Sequence, residues 1–183
     1  MTAREVAIAL VHFPALDRDG SVIVTSITNL DVHDLARSAR TYAVRALYIT
    51  HPIDAQRELV ERVVRHWTVG AGAKRIPDRI EAMQRVRVVR TLDDAIAELG
   101  ADTVLWTTAA ASSAGALSFA DARAELARPG PPVLLVYGTG WGLAPPVHAR
   151  AAARLAPIDG RDGWNHLSVR AAVAIMLDRL LAV

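Results

Sequence analysis

The chain has 183 residues, a formal net charge of +2 at pH 7 and no cysteine. The absence of cysteine excludes a disulfide scaffold, thiolate metal sites and a cysteine nucleophile. The length is sufficient for one domain with its own hydrophobic core, and we expect a single domain over 1–183. Charges interrupt the apolar runs near both termini, which favours a soluble cytoplasmic protein over a membrane protein.

Apolar segments of strand length alternate with segments of helical periodicity. Strands are predicted at 6–12, 45–50, 86–90, 102–108, 131–137 and 154–158. Helices are predicted at 30–43, 54–68, 92–99, 118–127, 145–153 and 167–182, with turns or loops at 17–20 and 70–78. Thr91 is expected to cap the third helix, with Asp94 three residues further on. The alternation is typical of an α/β fold with a mostly parallel sheet covered by helices on both faces.

The first predicted helix carries a polar stripe. With Asn29 or Asp31 near its start, the stripe consists of Asn29, His33, Arg37 and Arg40. The residues expected on the buried side are Leu30, Leu35 and Ala39. An amide, an imidazole and two guanidiniums on one stripe could orient a polar substrate and bind phosphate. A solvated or subunit-facing stripe would have the same pattern.

The segment from Arg57 to Arg90 is basic, with nine basic residues against four acidic ones. Guanidinium groups pair well with phosphate, so the segment is a candidate for contact with a polyanion. A solvated helix face with ion pairs such as Glu58–Arg62 is the alternative. If the segment binds a polyanion, charge reversals at Arg75 and Arg79 should weaken that binding in a salt-dependent way.

Another feature is the sequence GTGWGL, Gly138–Leu143, which follows a predicted strand and precedes a proline-started helix. We call it the glycine turn. Its glycines read G-x-G-x-G, and no Walker lysine follows, so it fits neither a dinucleotide fingerprint nor a P-loop. Glycines let a small ligand approach backbone N–H and C=O groups directly, although a purely structural turn is equally compatible. Trp141 could cover a ligand or pack at an interface.

A polar loop with Gly160 and Gly163 leads into the last predicted helix. Asn165 is expected to cap that helix, and His166 beside the helix N-terminus should be neutral and able to accept a hydrogen bond. Open α/β sheets bind ligands where glycine-bearing loops meet at the carboxyl ends of neighbouring strands. The glycine turn and this loop are therefore expected to form one site.

These blocks, in this order, resemble the three motifs of the SPOUT superfamily, the trefoil-knotted S-adenosylmethionine (SAM)-dependent RNA methyltransferases. The motifs are NLDVHDLAR, LLVYGTGWGL and PIDGRDGWNHLSVRAAVAI. Over 5–182 the chain resembles, more narrowly, the small stand-alone RNA methyltransferase family sometimes fused to the tRNA N1-guanine methyltransferase. The resemblance implies a Rossmann-like sheet with a deep C-terminal trefoil knot, a homodimer, bound SAM, no metal, and an RNA substrate, with tRNA the leading class.

The resemblance also implies which residues form the site. The SAM-binding set would be Thr107, Thr108, Tyr137, Gly138, Thr139, Gly140, Trp141, Gly142, Leu143, Pro157, Ile158, Gly160, Asn165, Leu167 and Ser168. Arg37 would reach the reacting centre from its own or from the partner subunit, with Asn29, His33 and Asn165 as supporting polar groups and His166 as a candidate base. The RNA-contact set would be Arg40, Lys74, Arg75 and Arg79.

Two motif differences leave the target atom open between base and ribose. The second motif has Gly140 and Trp141 where many SPOUT enzymes have a glutamate. The third reads Trp164-Asn165-His166 where enzymes that methylate the ribose 2′-O commonly have Ser-x-Asn before the helix. A non-catalytic SAM- or RNA-binding regulatory protein on the same fold is the alternative function. A nucleotide-dependent oxidoreductase is less favoured, because the dinucleotide fingerprint is absent.

Overall fold

The computed structural model describes residues 3–108 and 115–182, which form an α/β fold. The strands are β1 (Val6–Leu16), β2 (Val22–Ile23), β3 (Leu47–Thr50), β4 (Val86–Val89), β5 (Val104–Thr108), β6 (Val133–Gly140) and β7 (Ala153–Leu155). The helices are α1 (Asn29–Thr41), α2 (Asp54–Thr68), α3 (Ala71–Arg75), α4 (Arg79–Met83), α5 (Leu92–Leu99), α6 (Phe119–Leu126), α7 (Pro145–Ala149) and α8 (Val169–Leu181).

The strands of the described residues form one mostly parallel sheet in the order β4-β3-β1-β6-β5-β7. Strand β2 pairs antiparallel with the end of β1, and every other pairing is parallel. Strands β1 and β6 pair in the middle of the sheet, with β3 and β4 on the β1 side and β5 and β7 on the β6 side. In such a sheet the carboxyl ends of the central strands are the expected place for a ligand.

Strand β6 shows how both faces of the sheet are covered. Val133, Leu135 and Tyr137 join the core beneath α1 and α8, whereas Leu134 and Val136 join the core beneath α5 and α7. All five are nearly inaccessible to solvent. A strand covered on both faces reads as a continuous apolar run, which is why LLVY predicts a central strand.

Side-chain caps define where several helices begin. The cap predicted at Thr91 is confirmed, since its hydroxyl accepts from the Asp94 N–H in a capping box. Asn29 and Asp31 lie near the start of α1, as predicted, and the cap itself is Thr28. The predicted cap of the last helix is wrong, since Ser168, not Asn165, caps α8.

Several boundaries differ from the sequence predictions. Residues 71–75 of the predicted loop form the short helix α3, and neither β2 nor α4 was predicted. The helix predicted at 145–153 ends at Ala149 because the Ala152 N–H donates to the Leu105 carbonyl oxygen (2.9 Å), which leads into β7. Strand β7 ends at Leu155, earlier than predicted, and β6 continues to Gly140, later than predicted.

Leu30 is 58% exposed and not buried as predicted. The inward side of α1 is formed by Val32, Leu35, Ala36 and Ala39. Leu30 lies two residues, or about 200° of helical rotation, from Val32 and therefore points away from the sheet.

Of the helices in the described ranges, none is both long and apolar enough to cross a membrane.

Candidate functional site

The glycine turn is held in place by the last residues of β1. The Trp141 N–H donates to the Leu16 carbonyl oxygen, and the Leu16 N–H donates to the Gly142 carbonyl oxygen, both at 2.9 Å. A third backbone bond, 3.2 Å long, joins the Ala144 N–H to the Pro14 carbonyl oxygen. The backbone of the turn is therefore fixed before any ligand binds.

Two glycines are required by this close approach. A Cβ atom on Gly140, whose φ is +60°, would lie 2.7 Å from the Leu16 carbonyl oxygen. A Cβ atom on Gly138 would lie 2.7 Å from the Leu143 nitrogen. Both distances are too short for any other residue type. Gly142 has a φ of +115° and open space on its Cβ side.

A pocket of about 1080 Å³ opens between the glycine turn, α7, the start of α8 and the segment 156–168, which we call the motif-three loop. Twelve of the fifteen predicted SAM-binding residues line it: Thr108, Tyr137, Gly138, Thr139, Gly140, Trp141, Gly142, Leu143, Ile158, Asn165, Leu167 and Ser168. The sheet brings them together at the carboxyl ends of β5 and β6. Their contact with SAM stays a prediction.

The other three predicted residues, Thr107, Pro157 and Gly160, do not line the pocket. Thr107 is buried, and its hydroxyl lies 3.1 Å from the Nδ1 atom of His148. Pro157 is buried at the base of the motif-three loop. A Cβ atom on Gly160 would collide with the Trp164 carbonyl oxygen, so glycine is needed for the loop to close.

The hydroxyl of Tyr137 is a polar group suited to a bound ligand. It is buried and has no hydrogen-bond partner within the described residues, although Tyr137 lines the pocket. Burial raises the pKa of Tyr137, so the hydroxyl stays protonated and available as a donor. Buried polar groups are nearly always hydrogen-bonded, and a ligand with ribose, purine or carboxylate acceptors would satisfy this one. The pocket therefore fits SAM.

Replacing Tyr137 by phenylalanine tests this role. We expect the free energy of unfolding to change by less than about 1 kcal/mol, because the hydroxyl makes no bond to the described protein. We expect SAM affinity to fall by roughly 2- to 12-fold, the effect of one lost hydrogen bond. Chemical denaturation and calorimetric titration measure the two quantities. Unchanged SAM affinity would contradict the assignment.

The segment before α1 is tied to the glycine turn through Thr25. The Thr25 hydroxyl bonds His12 Nδ1 at 2.9 Å and also bonds the hydroxyl of Thr139. The His51 Nε2 atom donates to the Thr25 carbonyl oxygen at 2.9 Å. Thr25 also lines the pocket. The sequence analysis missed this cluster. An available signal was that His12 ends the predicted strand 6–12 and that His51 directly follows the predicted strand 45–50.

Both histidines of this cluster are held neutral. Burial, with a further contribution from His51, lowers the pKa of His12 from 6.5 to about 4. Burial also lowers the pKa of His51. Since the unfolded chain binds these protons more readily, the stability contributed by the neutral pair is present above pH 6.5 and is lost as pH falls toward 4.

Asp31 and Arg170 join α1 to α8 beside the pocket. The Asp31 side chain is 6% exposed and accepts from Arg170 at 2.8 Å. Its other oxygen accepts from the Thr28 hydroxyl at 2.6 Å. Asp31 lines the pocket, so the sequence-based site omitted a buried carboxylate. The distance of 139 residues between the two partners hides this pair from sequence reasoning.

Two imidazoles line the pocket. His148 is half-buried, and burial together with Arg154 lowers its pKa, so it is neutral near pH 7. Its Nδ1 atom is engaged with Thr107, which leaves Nε2 for a ligand. His166 is exposed and lies between Trp141 and Trp164. His148 is a site residue that the sequence analysis missed.

The predicted polar stripe of α1 lies apart from the pocket of its own chain. Asn29 and Arg37 are exposed and do not line the pocket. His33 packs edge-on against Trp67 at a ring-centroid distance of 5.2 Å, and Arg40 pairs with Glu81. Because the apolar side of α1 faces the sheet, His33 and Arg40 of the stripe face α2 and α4. The structure therefore does not assemble Arg37 and His33 with Asn165 and His166 within one chain.

The predicted RNA-contact residues lie around the same α2–α4 surface. The Arg79 guanidinium lies 4.5 Å from the ring centroid of Trp67. Lys74 and Arg75 are exposed on α3. Arg40 joins α1 to α4 through Glu81.

Within the described ranges, no group of three or more metal-ligating side chains is arranged to hold a metal ion.

The fold is shared with solved methyltransferases. A methylase-family protein from Neisseria gonorrhoeae matches with a TM-score of 0.65 and 18% identity, covering 98% of this chain and 82% of that one. A SpoU methyltransferase from Streptomyces viridochromogenes, solved with AdoMet, matches with a TM-score of 0.57 and 13% identity, covering 99% and 61%. The described residues therefore have the fold of these methyltransferases.

Sequence comparison identifies the family. The SAM-dependent RNA methyltransferase family matches residues 5–182, and the chain belongs to it. An uncharacterised protein from Aquifex aeolicus is 42% identical over 186 residues, covering 100% of this chain and 91% of that protein. A tRNA (guanine-N(1)-)-methyltransferase from Nitratidesulfovibrio vulgaris is 44% identical over 183 residues. That match covers 97% of this chain, which spans 42% of the relative's length.

Proposed function

We propose that the chain methylates tRNA, with SAM held between the glycine turn and the motif-three loop. The observation that carries the proposal is the pocket of about 1080 Å³ with the unsatisfied hydroxyl of Tyr137. The family membership supplies the reaction and the cofactor. The substrate class is supported by the relative named as a tRNA methyltransferase, of which this chain spans 42%.

The residues of the pocket divide into cofactor-holding and proton-handling groups. SAM supplies a methyl group already activated by its sulfonium charge, so the protein mainly has to align the acceptor. Backbone groups of the glycine turn, the Tyr137 hydroxyl and the loop residues Leu167 and Ser168 hold the cofactor. His148 inside the pocket and His166 at its mouth are the groups able to accept a proton from the acceptor nucleotide.

We also propose the knotted chain path that the family resemblance implies. After the edge strand β7, the motif-three loop runs to the pocket at the centre of the sheet, and α8 then packs against α1, α6 and β6. A return from the edge to the centre is the path that such a knot requires. It also accounts for the position of the loop over the glycine turn.

The chain acts as a homodimer in this proposal, with Arg37 serving the pocket of the partner subunit. Arg37 is exposed and does not line the pocket of its own chain. A catalytic contribution therefore requires a second copy of the chain, related by two-fold symmetry. In that position Arg37 would orient an RNA phosphate or assist the proton transfer.

Mixing two inactive variants tests the role of Arg37. We expect Arg37→Ala to retain SAM binding and to lose methyl transfer, and Gly138→Ala to lose SAM binding. A mixed dimer of the two has one intact pocket facing one intact Arg37, so re-annealed mixtures should recover about a quarter of wild-type activity. Methyl transfer by the mixture, compared with each variant alone, is the measurement. No recovery from folded dimers would contradict action across the interface.

The α3 surface is the proposed RNA contact outside the pocket. Arg75→Glu should weaken tRNA binding at low salt, and the difference from wild type should shrink as salt rises, because a phosphate contact releases counterions. Arg79 packs on Trp67, so Arg75 gives the cleaner test. Arg128→Glu, at an exposed arginine between α6 and β6 that pairs with Glu125, is the control for a charge reversal elsewhere on the surface. An equal loss in both variants would argue against a local contact.

Transfer of a labelled methyl group from SAM into separate tRNA and ribosomal RNA pools tests the proposed function. We expect label in tRNA, and digestion to nucleosides then identifies the methylated atom. Label in ribosomal RNA alone would contradict the substrate class. Binding of SAM without transfer to any RNA would favour the regulatory alternative.

A further inference from the structure

Three aromatic side chains form a cluster at the mouth of the pocket, which we call the aromatic rim: Trp141, Trp164 and His166. The His166 ring centroid lies 6.2 Å from that of Trp141 and 6.1 Å from that of Trp164. The interplanar angles are 48° and 65°. The first pair is tilted and the second is close to edge-on, so neither pair is stacked face to face.

The indole rings of the rim are largely accessible. Trp141 is 58% exposed and Trp164 is 73% exposed. Trp141 and His166 line the pocket, whereas Trp164 lies outside it. The rim therefore extends from the proposed cofactor site to the surface of the protein. Two exposed tryptophans at a functional opening indicate a binding surface, since tryptophan is both apolar and able to stack.

The loop that carries Trp164 and His166 is preorganised. The Asn165 Nδ2 atom donates to the Ile158 carbonyl oxygen at 2.6 Å, which closes the loop on itself. Gly160 lies directly against the Trp164 backbone, where no side chain fits. The positions of Trp164 and His166 are thus set by the backbone of the motif-three loop, and less conformational freedom is lost on binding.

We propose that the aromatic rim stacks an unpaired base of the RNA substrate and so presents the acceptor nucleotide to the pocket. The proposal rests on the proposed function and names the form of the substrate: a nucleotide in a single-stranded or looped segment. Enzymes that modify a base must take it out of its stack, and aromatic side chains replace the lost stacking. The purine bases, which have the larger faces, are the preferred occupants.

The charges of the loop favour a base over a phosphate group as the occupant. Asp159 and Asp162 outnumber Arg161 in the loop, and all three side chains belong to exposed residues. This local negative balance disfavours phosphate but leaves an uncharged base unaffected. SAM, in turn, is proposed to lie inside the pocket, whose lining does not include Trp164. The rim therefore fits a nucleobase.

Binding of short homopolymers tests the proposal. Oligoadenylate and oligouridylate of about twelve nucleotides carry the same charge but differ in stacking strength, and fluorescence anisotropy measures both affinities. We expect wild-type protein to prefer oligoadenylate, and Trp164→Ala to lose roughly 5- to 100-fold in affinity for it. Trp164→Tyr should retain most of the affinity. The exposure of Trp164 makes misfolding of these variants no concern for the comparison.

The other outcomes overturn the proposal. Wild-type protein with no preference for oligoadenylate, or an equal loss with both homopolymers in Trp164→Ala, would exclude base stacking. A weaker SAM affinity in Trp164→Ala with unchanged oligoadenylate binding would make the rim a cofactor cover. Dissociation of the variant into monomers in sedimentation would make it a subunit contact. Methyl transfer to RNA by the wild type, measured in parallel, shows separately whether the proposed function holds.

Discussion

Replacing Asp31 by alanine is expected to lower the free energy of unfolding by about 3 kcal/mol, toward the lower end of the cost of breaking a buried ion pair. Asp31 is buried, completes the capping box of α1 with Thr28, and accepts the hydrogen bond from Arg170 on α8. Arg170 keeps a second partner in Asp34 at 3.4 Å, which limits the loss. For a chain of this length the midpoint of thermal unfolding should fall by roughly 6 to 12 °C.

Asp94→Ala is the matched control for this variant. Asp94 occupies the same position in the capping box of α5 but is exposed and pairs with no distant helix in the described structure. We expect a clearly smaller decrease in the melting temperature for Asp94→Ala, measured by the same circular dichroism scan. Equal decreases in the two variants would show that capping alone, and not the α1–α8 ion pair, stabilises this corner of the pocket.

Replacing Gly138 by alanine is expected to weaken SAM binding strongly while the chain still folds. The added Cβ atom would lie 2.7 Å from the Leu143 nitrogen and 2.8 Å from the Gly142 carbonyl carbon. Both neighbours are backbone atoms, so the glycine turn itself has to move. We expect SAM affinity to fall by at least about tenfold, and stability to fall by about 1–3 kcal/mol, as for other overpacked sites.

Gly20→Ala separates backbone strain from damage to the pocket. Gly20 has a positive φ, +85°, which Gly138 does not have, and a Cβ atom on Gly20 would meet nothing within 4 Å. This variant should cost about 1–2 kcal/mol of stability through strain alone and leave SAM affinity unchanged. If Gly138→Ala binds SAM as tightly as the wild type does, the glycine turn does not form the wall of the cofactor site.

The layers of the fold were predictable because the pattern of burial is local. Strands covered on both faces read as continuous apolar runs, and helices α2 and α5 match their predicted bounds, 54–68 and 92–99. The short elements β2, α3 and α4 were missed, since two to five residues show no periodicity. The extension of β1 to Leu16 depends on pairing with Gly140, which is distant in sequence.

The site was predictable where its residues are consecutive. The glycine turn and the motif-three loop each appear as one segment, and the parallel sheet brings them together. Thr25, with His12 and His51, and the pair Asp31–Arg170 were missed because each is a contact between distant parts of the chain. Nor could sequence show that the polar stripe of α1 faces away from the pocket.

Calorimetric titration of the wild-type chain with SAM tests the central claim most directly, because the claim is that the glycine turn and the motif-three loop form a SAM site. We predict saturable binding of one SAM per chain, competition by its demethylated product, and strongly weakened binding in Gly138→Ala. Absence of binding heat from correctly folded wild-type protein at several temperatures, or wild-type affinity in Gly138→Ala, would contradict the claim.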